Sequence, residues 1–267
     1  MRFGAHVPSS TPASAAAERR AEVIQVFLSS PRQWRAPSPK PDGWIEEVAP
    51  LPLYVHAPYL VNLASASEDV RARSVTLLQA TLTEADRVGA DGVVVHAGQG
   101  GVGGSIDVAL DLVVDGIVQL VATTPLLIEN TATGVCSLGR DIDVWERLFA
   151  RLHATDLRVP IGACLDTCHL WSGADWDDPD TAEVTSLTAR FVAPADTGLV
   201  HVNDSHDPAG AGRDHHANLG AGCIPPEGLL AMLDTARRRG WADAVVETPG
   251  GAEEQAADIA WLVEHAA

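Results

Sequence analysis

The chain has 267 residues, of which 46% are hydrophobic and 20% are charged, and this apolar fraction excludes an intrinsically disordered protein. Its 18 basic and 36 acidic residues give a formal net charge of −18, which has the wrong sign for a nonspecific nucleic-acid binder. The most apolar stretch, residues 110–121, is interrupted by Asp111 and Asp115, so we expect no membrane span, which needs about 20 apolar residues.

Short apolar segments rich in β-branched residues alternate with longer segments of helical periodicity along the chain. The apolar segments are predicted to be eight strands: Phe3–Val7, Val23–Leu28, Leu53–His56, Gly92–His96, Pro125–Glu129, Gly162–Asp166, Gly198–Val202 and Asp243–Glu247. Eight alternations of strand and helix in a chain of this length predict a TIM (β/α)8 barrel. We expect residues 1–267 to form a single domain of this kind, because no linker or low-complexity tract divides them.

Residues that commonly start or stop helices flank several of the longer segments. The predicted helices run from Glu68 to Arg87 between Ser67 and Gly89, from Ile106 to Val121 after Ser105, from Val144 to Leu152 after Asp141, and from Pro225 until Gly240. The segment Gly98–Gly104 is rich in glycine, but no acidic residue follows it at the position that a dinucleotide site requires, so we predict a loop there.

Six successive predicted strands end on a histidine or a carboxylate after an apolar run. These residues are His56, His96, Glu129, Asp166, His201 and Glu247. In a barrel of parallel strands the strand ends ring one mouth, where the active sites of such barrels lie. A single histidine at a strand end is most often a hydrogen-bonded rim residue, but metal-ligating residues on all six strands predict a site for Zn²⁺, Mn²⁺ or Fe²⁺.

Three further residues add metal-ligating groups to the same mouth. His169 follows Asp166 across the turn that leaves the sixth strand, and Asp214 and His216 form a D-x-H pair after the seventh. The resulting five histidines and four carboxylates are too many for one tetrahedral ion, so they predict two or three ions. Four carboxylates with three divalent ions would leave a net positive charge, which would attract anions and suits hydrolysis of a phosphodiester.

Seven short motifs are spread over nearly the whole chain. They are Gly4–Val7 (GAHV), Ser30–Trp34 (SPRQW), His56–Leu63 (HAPYLVNL), Ile128–Ala132 (IENTA), Leu165–His169 (LDTCH), His201–Asp204 (HVND) and Glu247–Pro249 (ETP). In this order they resemble the endonuclease IV family, metal-dependent enzymes with a TIM barrel that cut DNA at apurinic/apyrimidinic (AP) sites. The strings LDTCH and HVND are the most specific part of the resemblance.

The resemblance implies a site of three metal ions, mostly zinc, with Mn²⁺ or Fe²⁺ as an alternative at one position. The implied ligand sets are His56, His96 and Glu129; Glu129 as a bridge, Asp166, His201 and Glu247; and His169, Asp214 and His216. Glu129 would also be catalytic, because the bridging carboxylate would orient the attacking water. The implied substrate is double-stranded DNA with abasic sites, and we expect a monomer.

The resemblance also places DNA-facing residues in the loops after the second and third strands. Arg32, Gln33, Tyr59 and Leu60 would press into the duplex at the lesion, where a sugar without its base leaves the stack at low cost. The alternative for Tyr59 and Leu60 is that they pack the loop against the barrel rim. His6, at the end of the first strand, either contacts a ligand residue or belongs to the rim.

Several positions depart from the pattern that is usual in the family. Thr133 stands where a glycine is usual, and Ala97 follows His96 in place of a proline. Residues 205–207 (Ser-His-Asp) lack the basic residue that commonly follows H-x-N-D, and His215 takes the usual place of an arginine. Because each change removes or moves a potential phosphate contact, the metal chemistry is better supported than the affinity for DNA.

The predicted function is cleavage of DNA on the 5′ side of AP sites, leaving a 3′-hydroxyl and a 5′-deoxyribose phosphate, with 3′-end trimming as a second activity. One alternative is a metal-dependent sugar isomerase or epimerase, but the only lysine, Lys40, lies outside the predicted strands. Another is a DNA-binding protein without catalysis, which a complete ligand set disfavours. Four cysteines without a C-x-x-C pair, and no visible secretory signal, lead us to expect a cytoplasmic protein.

Overall fold

Eight parallel strands form a closed barrel in the computed structural model, which describes residues 1–100, 102–134, 136–176 and 178–266. The strands in chain order are β1 (Arg2–His6), β2 (Ile24–Val26), β3 (Leu53–His56), β4 (Gly92–His96), β5 (Leu126–Glu129), β6 (Ile161–Asp166), β7 (Gly198–His201), the short pair β8 (Asp204–Ser205) and β9 (His216–Ala217), and β10 (Asp243–Val246). The barrel order is β1-β10-β7-β6-β5-β4-β3-β2, and pairing of β1 with β2 closes it. The predicted TIM barrel is therefore confirmed.

Helices follow the strands along the chain, and most of them cover the outside of the barrel. They are α1 (Pro12–Arg19), α2 (Asp42–Val48), α3 (Glu68–Val88), α4 (Ile106–Ile117), α5 (Ile142–His153), α6 (Thr167–Gly173), α7 (Thr181–Val192), α8 (Pro226–Arg238) and α9 (Ala252–His265). The side chains of Ser67, Ser105 and Asp141 accept hydrogen bonds from backbone N–H groups in the first turns of α3, α4 and α5. These three residues are helix N-caps, as their positions in the sequence predict.

For the helix that follows Ser105, the predicted end at Val121 is wrong. Helix α4 ends at Ile117, because both backbone groups of Val121 bond the side chain of Gln79 instead of continuing the helix. Within the predicted loop Gly98–Gly104, residues 98–100 have no regular structure and Val102–Gly104 form one 3₁₀ turn. Gly101 lies outside the described residues.

Alternation along the strands positions one layer of polar side chains above an apolar layer inside the barrel. The apolar layer consists of Val23, Tyr54, Val94, Leu127, Cys164, Leu199 and Val245. Because side chains on a strand alternate between faces, the residue two positions further along points to the same side. In the same order, the residues two positions further along form the polar layer: Gln25, His56, His96, Glu129, Asp166, His201 and Glu247.

Loops at the carboxyl ends of the strands complete the mouth of the barrel. The loop after β3 is held to the loop after β2 by a hydrogen bond from the Tyr59 N–H to the Pro31 carbonyl, 3.0 Å long. Strands β8 and β9 form a small antiparallel hairpin that carries His216 to the mouth. Among the described residues, no helix combines the length and the apolar character that a bilayer span requires.

Candidate metal centre

The first group of metal-ligating side chains is His56, His96 and Glu129, at the ends of β3, β4 and β5. Glu129 Oε2 lies 3.2 Å from His56 Nε2 and 3.3 Å from His96 Nε2. Two ligands of one zinc ion, each about 2.1 Å from it, stand about 3–4 Å apart. The three side chains are therefore spaced as ligands of one ion would be.

The second group shares Glu129 with the first and adds Asp166, His201 and Glu247. His201 Nδ1 lies 3.1 Å from Glu129 Oε1, 3.3 Å from Glu247 Oε2 and 4.0 Å from Asp166 Oδ2. The two oxygens of Glu129 thus face different groups. This is the arrangement of a carboxylate that can bridge two ions.

The third group consists of His169 from α6, with Asp214 and His216 from the region of the β8–β9 hairpin. Asp214 Oδ1 lies 3.1 Å from both His169 Nε2 and His216 Nε2. Asp166 Oδ2 is 3.6 Å from His216 Nε2, so this group adjoins the second. The structure therefore brings together all nine residues that the resemblance implied, in the same three sets.

Two observations indicate that these residues suit metal ions. His216 Nε2 is buried and, although Asp214 is close, it forms no well-directed hydrogen bond with any residue that the structure describes. A buried polar atom without a partner is costly, and a cation would satisfy it. In each of the three groups, the candidate ligand atoms lie within 4.8 Å of one another. Imidazole and carboxylate donors at this spacing fit zinc, and they also fit manganese or iron.

Hydrogen bonds fix which nitrogen of three histidines faces its group. His56 Nδ1–H donates to the Ala57 carbonyl at 2.7 Å, and His169 Nδ1–H donates to the Asn130 carbonyl at 2.9 Å. His201 instead donates from Nε2–H to Gln25 Oε1 at 2.9 Å, which leaves its Nδ1 toward Glu129. A histidine whose second nitrogen is held in this way is oriented as a metal ligand.

Gln25 is the main residue of the site that sequence reasoning missed. Its side chain is fully buried; besides accepting the hydrogen bond from His201, it donates from Nε2 to Glu247 Oε1 at 2.7 Å and lies 2.9 Å from His6 Nδ1. His6 also lies 3.1 Å from Glu247 Oε1, so it contacts a predicted ligand. A polar residue two positions after Val23, in an otherwise apolar strand, was the available signal.

Two asparagines hold the ligand residues Asp166 and Glu247 by hydrogen bonds. Asn203 Nδ2 donates to Asp166 Oδ2 at 2.7 Å, and its Oδ1 accepts from the backbone N–H of Glu247 at 2.8 Å. Asn130 exchanges two hydrogen bonds with the backbone of Asp166. The turn expected between Asp166 and His169 is the first turn of α6, in which Asp166 Oδ1 accepts from the His169 N–H.

Two carboxylates of the site, those of Glu129 and Asp214, are held in the ionised form. Burial alone would raise the pKa of Glu129, but the neighbouring His96 and His201 hold it well below its ordinary value. Burial likewise opposes the effect of two nearby imidazoles on Asp214, and the imidazoles prevail and lower its pKa. Burial disfavours the protonated His216, but Asp166 and Asp214 outweigh it and raise the pKa of His216 to about 9. The layer thus attracts positive charge.

The predicted DNA-facing residues lie in different places around the mouth. Tyr59 is 48% exposed, and its ring stacks on His96 with 5.8 Å between centroids and meets Phe27 edge-on at 5.2 Å. Tyr59 and the half-buried Leu60 line a cavity of 300 Å³ that also reaches His96. Arg32 and Gln33 are exposed on the adjoining loop and do not line this cavity.

The unusual residues after β7 form a small ionic cluster. His215 Nδ1 lies 2.8 Å from Asp207 Oδ2, and Arg213 Nη1 lies 3.3 Å from Asp207 Oδ1. Because Asp207 is buried and faces both side chains, it neutralises part of the charge of Arg213 and occupies one nitrogen of His215. The positive character of this loop is weaker than the presence of an arginine and a histidine suggests.

Matches to known proteins extend over nearly the whole chain. A family model described as a xylose isomerase-like TIM barrel matches residues 14–265. Proteins named probable endonuclease 4 are 40% identical in Mycobacterium marinum and 39% identical in Mycobacterium tuberculosis, each over 99% of this chain and 98% of the relative. The crystal structure of endonuclease IV from Thermus thermophilus has a TM-score of 0.78 at 29% identity, and the match covers 99% of this chain and 100% of that one. A D-tagatose 3-epimerase-like protein, at 18% identity and a TM-score of 0.73 over 99% of this chain and 97% of that one, shares the fold.

Proposed function

The chain belongs to the endonuclease IV family of DNA-cleaving hydrolases, and from this premise we propose that it is a metal-dependent phosphodiesterase that cuts duplex DNA on the 5′ side of AP sites. The observation that carries the proposal is the joining of two ligand groups through Glu129, whose two oxygens face different imidazoles, with the third group beside Asp166. The same site would trim blocked 3′ ends, and the enzyme would act as a monomeric, single-domain protein.

The nine residues of the three groups are proposed as the ligands of three ions, which would be zinc or, at one position, manganese or iron. Divalent ions bound there would polarise the phosphodiester and make water a stronger nucleophile. Gln25 and Asn203 would hold the ligands in place, because each donates a hydrogen bond to the carboxylate of a proposed ligand, Glu247 and Asp166 respectively.

Glu129 is proposed as the catalytic carboxylate. It is 1% exposed and lies at the centre of the layer, within 3.5 Å of four histidines. Since its pKa is lowered, it remains ionised and accepts hydrogen bonds. An ionised acceptor in this position would orient the attacking water toward the phosphorus and hold it in line with the departing 3′-oxygen.

Selection of the abasic nucleotide is assigned to the cavity beside the metal centre. Its wall includes Tyr59 and Leu60 on one loop and reaches His96, His169 and Asp214 at the centre. A nucleotide without its base leaves the stack at less cost than an intact one, and the half-exposed ring of Tyr59 would occupy the gap. The two residues of the adjoining loop, Arg32 and Gln33, would contact the duplex.

The test combines a metal count with an assay of the cleaved ends. Elemental analysis of the purified protein should give three metal equivalents per chain. The protein should cut a duplex with a tetrahydrofuran AP-site analogue, leaving a 3′-hydroxyl, and leave the undamaged duplex intact. One equivalent of metal together with epimerisation of a ketose, and no cut at the analogue, would refute the proposal in favour of a sugar-converting enzyme.

A further inference from the structure

The segment that joins β2 to α2 has a charge pattern unlike the rest of this acidic chain. Between Glu22 and Asp42 there is no carboxylate, and the same stretch carries Arg32, Arg35 and Lys40. In a protein with a net charge of −18, these residues form a local region of positive charge. Anions would be attracted to this part of the surface.

A cavity of 340 Å³ lies within this segment, and we call it the β2-loop cavity. Its polar wall consists of Ser29, Ser30, Gln33, Arg35, Ser38 and Lys40. Among the described residues, no acidic side chain lines it. Its wall therefore combines two cationic groups with hydroxyl and amide donors, the combination that binds a phosphate group.

The two cations of the cavity are not neutralised by neighbouring carboxylates. Within the part of the chain that the structure describes, neither Arg35 nor Lys40 has a carboxylate oxygen within 4.0 Å of its charged nitrogens, although many other arginines do. Glu84 contacts the backbone N–H of Lys40, but its carboxylate is paired with Arg87 at 2.6 Å. Lys40 Nζ also lies over the ring of Trp44, 5.2 Å from its centroid, but an aromatic ring does not neutralise its charge. Both side chains therefore keep positive charge that a ligand can use.

An unsatisfied hydroxyl in the wall is a second, independent indication of a ligand. Ser29 Oγ is buried and has no hydrogen-bond partner among the described residues. Buried polar side-chain atoms nearly always have a partner, and the absence of one calls for an explanation. Because Ser29 belongs to the wall, rotation about its χ1 would present the hydroxyl to a phosphate oxygen in the cavity, which would provide the missing acceptor.

The cavity adjoins the surface that faces DNA in the proposed function. Gln33 belongs both to the cavity wall and to the predicted DNA-facing residues. The Pro31 carbonyl, next to Ser30, accepts the hydrogen bond from the Tyr59 N–H. A duplex that placed its lesion at Tyr59 would therefore have this loop beside it.

We propose that the β2-loop cavity is a phosphate subsite in which Arg35, Lys40 and Ser29 bind a backbone phosphodiester of the DNA strand that flanks the lesion. This proposal rests on the proposed function for the identity of the ligand, but its own basis is the cavity. The subsite provides positive charge that the loop after β7 does not, since Asp207 faces Arg213 and His215 there.

The test measures binding of the analogue-containing duplex by fluorescence anisotropy at several salt concentrations. The double variant Arg35→Gln, Lys40→Met should bind about tenfold more weakly at about 0.1 M salt, as expected for loss of a charge-assisted contact. The slope of log K against log salt should become shallower by about 0.9, the value for one neutralised phosphate. Hydrolysis of bis-p-nitrophenyl phosphate should be unchanged.

Two further variants separate the subsite from general effects of charge and folding. Arg158→Gln is the matched control, because Arg158 is exposed, precedes β6 and so lies at the opposite end of the barrel. It should leave affinity and salt slope as in the wild type. Ser29→Ala should weaken DNA binding about threefold to tenfold without lowering the melting temperature, since the hydroxyl has no partner among the described residues of the protein.

A double variant with wild-type affinity and salt slope would overturn the subsite, and so would an equal loss in Arg158→Gln. Failure of the proposed function is recognised separately, because it concerns the wild-type protein. If the wild type binds duplex DNA with a slope that the double variant reduces, yet makes no cut at the AP-site analogue, the subsite stands and the assigned reaction does not.

Discussion

The two ends of the barrel interior contain ionisable groups on the same strands, but the groups are organised in opposite ways. At the amino-terminal end, Asp243 pairs with Arg2 at 2.6 Å and accepts a hydrogen bond from the buried hydroxyl of Tyr54 at 2.9 Å. Positive and negative charge balance there, and each group has a partner. Such a cluster is complete without a ligand.

The carboxyl-terminal end has an excess of acceptors. His6 stands four residues after Arg2, and Glu247 stands four residues after Asp243, so the same two stretches of chain reach both ends of the barrel. Four carboxylates and five histidines form the three ligand groups of this layer, which include no lysine or arginine, and His216 Nε2 has no hydrogen bond among the described residues. Both ends contain buried charge, so burial of charge alone does not identify a functional site. The informative feature is an unbalanced cluster that only an external cation can complete.

The largest expected effect is at the centre of the unbalanced end. Glu129→Gln should reduce AP-site cleavage by more than about a thousandfold, because loss of a shared ligand costs more than the roughly 10- to 100-fold of a residue that only supports ligands. Circular dichroism should show normal folding, and the metal content should fall below that of the wild type. Cleavage close to the wild-type rate would contradict the role of Glu129 as a bridge.

A smaller loss is expected when only the support behind the ligands is removed. Gln25→Leu should lower metal affinity and cleavage by about 10- to 100-fold, since His201 and Glu247 lose their common hydrogen-bond partner. Zinc retention against a chelator measures this directly. Retention equal to that of the wild type would show that packing alone positions the two ligands.

Tyr59→Ala tests recognition apart from chemistry, because Tyr59 is not among the proposed ligands. If the ring stacks in the gap left by the missing base, the loss of about 1–3 kcal/mol corresponds to about 5- to 150-fold slower AP-site cleavage. Metal content and hydrolysis of a small phosphodiester should not change. A lower melting temperature with unchanged cleavage per folded molecule would instead assign Tyr59 to packing of the rim.

The smallest effect on activity is expected at the balanced end. Asp243→Asn should destabilise the fold by about 1–2 kcal/mol, because Arg2 and Tyr54 lose an ionised acceptor. The melting temperature should fall by about 2–8 °C, while metal content and cleavage per folded molecule stay unchanged.

Glu247→Gln is the matched variant on the same polypeptide segment. It should lower metal content and cleavage, which Asp243→Asn leaves unchanged. The melting temperature of the metal-free protein should fall as well, because His6, Gln25 and His201 lose an ionised partner. Equal losses of metal in the two variants would remove the distinction between the two ends of the barrel.

Local features of the chain were predictable to different degrees. The N-caps Ser67, Ser105 and Asp141 stand where the sequence places them, because capping depends on residues only two or three positions apart. The end of α4 was not predictable, since Gln79 of another helix holds the backbone of Val121. Helix α6 was not predicted because it is short and buried on all sides, so it has no amphipathic pattern.

The barrel and the residue types at its mouth were predictable from the sequence alone. Strand alternation and the polar residue at each strand end are local properties, and parallel strands bring their carboxyl ends together wherever the helices lie. The resemblance to the endonuclease IV family added the grouping of the ligands. The sequence does not reveal that Glu129 directs its two oxygens to different groups, that Gln25 joins His201 to Glu247, or that Ser29 has no partner among the described residues. Those facts depend on contacts between residues far apart in the chain, whose distances no local pattern encodes.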